Sequence, residues 1–157
     1  METIPNINII SNDGMIFNIP LNVAILSKYV CIMTYDNYPN DTYIGEDTND
    51  YNLDDIIIPT ANGEILDLVI QFMTYYVEDP MIKIEKPMIT YNMGDNVQRW
   101  YASFIMNMPE DILYRIVNIA NYMHIQPLIE LSCAAVACYI VNKSHIENDE
   151  EEDLIYC

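Results

Sequence analysis

The stretch MPEDILYRIVNIANYMHIQPLIELSCAAVACYIV, Met108 to Val141, decides how the rest of this 157-residue chain is read. Ile112, Ile116, Ala120 and Met123 fall on one line at helical spacing with Leu113 and Val117 beside it, so the first half predicts a helix that packs by one face. Asn107 stands where a cap would, Glu110 follows three residues on, Pro109 falls in the tolerated first turn, and Asp111 faces the positive helix end. A joint is expected at His124 to Gln126. The second half differs. From Leu131 to Val141 no side chain is charged, and apolar or small residues circle the whole helix. Such a helix is either enclosed on all sides or covered by a second chain.

Outward from that stretch, the remaining order is that of an α+β domain. Asn6 to Ile19 alternates around Ser11-Asn12-Asp13-Gly14, which predicts a hairpin whose Gly supplies positive φ. Leu21 to Tyr35 suits short helices broken near Ser27 to Tyr29, and Ile56 to Ile58 a short strand ended by Pro59. In Gly63 to Pro80, the residues Ile65, Leu66, Val69, Ile70, Met73, Tyr76 and Val77 recur at helical spacing, and Pro80 closes the run. Gln98 to Ile105 predicts a short helix with Trp100 and Phe104 on one side. Two acidic segments lack any period: about 36–55, expected to be a mobile loop, and 144–157, expected to be a tail. The expected organisation is therefore one domain over 1–143 with that tail attached.

Charge narrows the partners. With 24 acidic against 6 basic residues the formal net charge is -18, which repels phosphate backbones and anionic lipid, so neither nucleic acid nor a membrane surface is expected as a partner. Hydrophobic residues still make up 52% of the chain, enough for a packed core. The opening METIPNINII lacks a basic region ahead of an apolar block, so no secretory signal is expected there. Cys133 and Cys138 lie inside the uncharged run and read as buried thiols of a reducing compartment, cytosol or nucleus.

Catalytic and metal chemistry find little support. His124, Cys133, Cys138 and His145 include the residue types for zinc, but thiols five positions apart on a helix point about 140° apart and do not converge. Asp47 to Asp55 is a poor calcium loop, with Asn52 in place of the glycine and Ile58 in place of the closing glutamate. No nucleophile elbow is present, and the four glycines form no phosphate-binding spacing. The chain is expected to bind rather than catalyse, with no metal and no cofactor.

The residues that go beyond this are SNDGMIF (Ser11 to Phe17), Ala24-Ile25-Leu26-Ser27 continuing to Val30 and Met33, and PTANGEILDLVIQFMTYYVEDP (Pro59 to Pro80). Trp100, Phe104, IANYMHIQPLIELSCAAVA (Ile119 to Ala137) and Tyr139-Ile-Val-Asn-Lys143 continue the set in colinear order. Together they resemble the Skp adaptor subunits of Skp/cullin/F-box ubiquitin ligases, which have a BTB/POZ-like fold. That resemblance implies a small sheet with an N-terminal hairpin packed on a helical bundle, and a C-terminal helix pair. It also implies a non-catalytic adaptor bridging the N-terminal region of a cullin and an F-box protein in ubiquitin-dependent degradation.

On the resemblance, Asn121 and Tyr122 belong to the cullin contact, which suits a rigid amphipathic tyrosine beside an amide that donates and accepts. Pro127, Leu131, Val136, Ile140 and Ile146 are the residues expected to meet the F-box, with Ala134, Ala135 and Ala137 allowing close helix approach. One departure matters. Past Ser144-His-Ile-Glu147 the family pattern of two further helices is replaced by NDEEEDLIYC, so the adaptor is expected to have a shortened C-terminus. A cullin-binding competitor without full F-box binding therefore stays open, as do a BTB-type oligomerisation module, including a homodimer, and an F-box receptor opening at MPEDILYRI. The Ile, Asn and Tyr bias suits AT-rich coding and a parasite or large virus, in which case the compartment is that of the host cell.

Overall fold

The structure is a computed structural model describing residues 3–34 and 53–155, with side chains as far as Ser144. The expected acidic loop thus lies almost wholly outside the described residues. Those residues form a three-stranded sheet and seven helices, the α+β class expected. They fall into two compact units: 1–80 with 118–126, and 81–117 with 127–157.

In the first unit β1 (Asn6–Ile10) and β2 (Ile16–Pro20) pair antiparallel, with Asn6 opposite Pro20 and Ile10 opposite Ile16. Alternation sets the faces: Ile7, Ile9 and Ile19 are buried, while on the other face Asn18 accepts from Asn6 at 2.7 Å and donates to Asn8 at 2.8 Å. At the turn Gly14 takes φ +85, as expected of the Asp-Gly step. The Asp13 carboxylate accepts from the Ser11 hydroxyl and from the backbone N–H of Gly63 at 2.9 Å. Those bonds, the serine's foremost, lower the Asp13 pKa and tie the hairpin to the start of the long helix.

The chain then forms α1 (Leu21–Ala24) and α2 (Lys28–Thr34), broken at 25–27, which shares Ser27 with the expected break but leaves Tyr29 inside α2, and β3 (Ile56–Ile57) joins β1 in parallel. In α3 (Gly63–Glu78) Asn62 caps the N-terminus by accepting from Ile65 N at 3.0 Å. Ile65, Leu66, Val69, Ile70, Phe72 and Met73 are buried. Two details differ from the expected stripe: Phe72 belongs to the core, and Val77 is exposed, because the buried face fades in the last turn.

The second unit holds α4 (Met93–Asn96), α5 (Arg99–Met106), the first turns of α6 (Glu110–Met123) and nearly all of α7 (Gln126–Ile155). Trp100 and Phe104 stack on α5 at 4.9 Å with planes 10° apart, and Tyr101 is fully buried. Asn107 is not the cap expected for the next helix. It closes α5, its N–H donating to Ser103 O at 3.2 Å, and the first bond of α6 runs from Leu113 N to Pro109 O at 2.9 Å. With so few residues between the two helices, the end of one takes the position that the other would have used. Beyond Lys143 the acidic segment continues as helix, without a break, to Ile155.

Candidate protein interface

The two surfaces anticipated on the Met108–Val141 stretch lie in different units and are built differently. In the first unit, α6 ends at a tight corner. Ile125 N donates to Ala120 O at 3.0 Å, His124 N donates to Asn121 O at 3.3 Å, and His124 takes φ 51. This is a Schellman closure with histidine at the left-handed position that glycine usually fills. Ile125 and Ala120, the residues whose apolar contact accompanies this motif, are both fully buried.

The carbonyls left over at the corner find partners 96 residues earlier in the chain. Ser27 Oγ donates to Met123 O at 2.6 Å, and Lys28 N donates to His124 O at 3.1 Å. Ser27 also caps α2, its Oγ accepting from Val30 N at 3.2 Å. One buried hydroxyl thus joins the start of α2 to the end of α6. Over this frame the rings of Tyr29 and Tyr122 meet at 5.2 Å, tilted by 44°. The Tyr29 phenol is held above its ordinary range, first by its hydrogen bond with Tyr122, then by burial and by Coulombic interaction with Tyr122. Tyr122 remains 38% exposed, and Asn121 beside it is exposed as well. The corner therefore presents an aromatic ring and an amide on a backbone that cannot easily shift. That combination suits recognition of another protein, since little ordering is left to be done on binding.

In the second unit the uncharged helix resolves into two faces. Leu128, Leu131, Ser132, Ala135 and Cys138 are buried and follow one line. On the opposite side Ile129, Val136 and Ala137 are half-buried, while Cys133 and Ile140 are exposed. The expected pair of buried thiols is corrected accordingly: Cys138 is buried, which pushes its thiol pKa up, and Cys133 faces outward. At about 100° per residue, Val136 and Ile140 share a side, roughly half a turn from Pro127 and Leu131. The five residues expected for the F-box therefore do not form one surface. Pro127 is half-buried, Leu131 is fully buried and serves the chain's own core, and the Ile146 side chain lies outside the described residues. Ile129 and Cys133 extend the outward stripe and were not anticipated, because an all-apolar run gives no contrast from which to choose a side.

Among the described residues, no group of three His, Cys, Asp or Glu is placed to hold a metal ion. No family model matches the chain. Among curated proteins it is 29% identical to an SCF subunit sconC of an E3 ubiquitin ligase complex from Aspergillus terreus, over 99% of this chain and 94% of that protein. To the sconC protein of Talaromyces stipitatus it is 31% identical, over 62% of this chain and 67% of that protein. The chain belongs to the Skp1 family. A further Skp1-family relative, the S-phase kinase-associated protein 1 homolog of Tetrahymena thermophila, is 37% identical over 58% of this chain, a match that spans 55% of that relative's length.

Proposed function

We propose that this Skp1-family chain is a non-catalytic adaptor of a cullin-based SCF ubiquitin ligase, and that its fold is of the BTB/POZ kind. In this reading the Asn121-Tyr122 corner grips the N-terminal region of a cullin, and the outward face of α7, with Val136 and Ile140, receives the F-box of a substrate receptor. Leu131 has no part in that contact. The observation that carries the reading is the corner: a partly exposed tyrosine and an exposed asparagine on a helix end whose carbonyls are bound by Ser27 and Lys28. A residue kept out of the core on so rigid a support is poised to act on something outside the chain. The outward apolar stripe of α7 supports the second contact, since a helix facing only water gains nothing from Ile140 at 53% exposure. The compartment that goes with this role is the cytosol or nucleus.

Co-elution tests the bridge. The full chain, mixed with a purified cullin N-terminal domain and a purified F-box domain, is expected to run as one ternary peak by size-exclusion chromatography with light scattering. A cullin complex that leaves the F-box domain behind makes the protein a competitor. A dimer that takes up neither makes it an oligomerisation module and overturns the adaptor role.

A further inference from the structure

Beside Ile140 lies a groove of about 150 Å³ lined by Glu110, Tyr114, Tyr139, Ile140, Lys143 and Ser144, all within the second unit. Its apolar wall is open, with Tyr114 42% and Ile140 53% exposed. Its polar groups are arranged unevenly. The Tyr139 hydroxyl donates to Glu110 Oε2 at 3.0 Å, which ties the carboxylate to the groove's lining. That hydrogen bond, and next the charge of Glu110, hold the Tyr139 phenol above its ordinary range, so it stays a neutral donor. A carboxylate has about four acceptor positions, and this bond uses one of them. The Ser144 hydroxyl is turned back onto Ile140 O at 2.9 Å and is engaged there. Among the described residues Lys143 is the one cation of the lining, against Glu110 and the adjacent Asp111 on the first turn of α6.

We propose that this groove selects receptor segments presenting an arginine, whose guanidinium pairs with Glu110 while its plane lies against Tyr114 or Tyr139 and its aliphatic neighbours rest on Ile140. This rests on the reading that the outward face of α7 docks a receptor. Three features favour arginine over other occupants. A planar fork matches a fixed carboxylate with two parallel bonds, which an ammonium cannot do. Tyr114 and Tyr139 line the groove together with Glu110, and tyrosine rings favour a delocalised cation. A chain of net charge -18 attracts cations and repels acidic segments. Lys143 opposes the incoming charge, and so acts as the counterweight that keeps the preference moderate.

Three amphipathic helical peptides test this. They share a Leu/Ile stripe and differ at its midpoint, which is Arg, Gln or Glu, and each is titrated against the full chain at low salt. The Arg peptide is expected to bind about tenfold tighter than the Glu peptide, with Gln between them, and the spread is expected to shrink in high salt. Glu110→Gln, which keeps an acceptor for Tyr139, is expected to level the three. Lys143→Gln is expected to widen the spread about threefold, with thermal midpoints unchanged for both variants. Equal binding of all three peptides, or tightest binding of the Glu peptide, overturns the arginine selection. A purified F-box domain titrated in parallel reports on the underlying reading. If it binds while the peptides are not distinguished, the adaptor role stands and the selection fails. If the Arg preference holds and the F-box domain does not bind, the receptor assignment fails instead.

Discussion

The corner at Ala120 to Ile125 and the outward face of α7 come from one continuous stretch, yet they are made specific in opposite ways. At the corner, backbone geometry does the work: four hydrogen bonds of 2.6 to 3.3 Å fix the chain path, and Asn121 and Tyr122 follow from it. On α7 a single exposed bond, from the Tyr139 hydroxyl to Glu110 at 3.0 Å, reaches out from the uncharged run among the described residues, and burial of Leu128, Leu131, Ala135 and Cys138 decides which residues are left outside. A surface held by hydrogen bonds should lose function when one buried donor is removed. A surface defined by burial should tolerate changes on its outer side and fail only when its inner side is emptied.

The largest expected effect tests the inner side. Leu131→Ala removes a fully buried side chain and should cost about 2–5 kcal/mol in denaturant unfolding. If Leu131 were instead a partner contact, stability would hold and only F-box affinity would fall. Next comes the corner's anchor. Ser27→Ala leaves the buried Met123 carbonyl without its donor and should cost about 1–3 kcal/mol of stability, with cullin affinity falling alongside, as read by calorimetric unfolding and titration. On the outer side of α7, Ile140→Ala should leave unfolding unchanged and weaken F-box binding by about 1 kcal/mol. The smallest change runs in the stabilising direction. His124→Gly relieves a non-glycine residue at φ 51 and should raise stability by up to about 1 kcal/mol, seen as a higher melting temperature, with cullin binding kept.

How much of this could be read in advance depends on the range of the interaction. The hairpin and the positions of α3 and α6 follow from period and turn chemistry within a few residues; the buried line of α6 runs through Leu113, Ile116, Ala120 and Met123 as expected, with Ile119 added and Ile112 and Val117 only half-buried. Asn107 fits the local rules for both of two adjacent helix ends, and the structure gives it to the first. The bond from Ser27 to Met123 spans 96 residues and leaves no local signal, so the corner's support was invisible although its exposed residues were not. On α7, Leu131 and Cys133 exchanged their expected roles because a run without charge holds no contrast between inside and outside.

Calorimetric titration of a purified cullin N-terminal domain into the wild-type chain and into the Asn121→Ala/Tyr122→Ala double variant measures what the corner's two exposed side chains contribute. A loss of about 2 kcal/mol or more in binding is expected, with the melting temperature retained. Equal affinity for the two proteins, or a variant whose unfolding shows that Tyr122 serves the core, would contradict it.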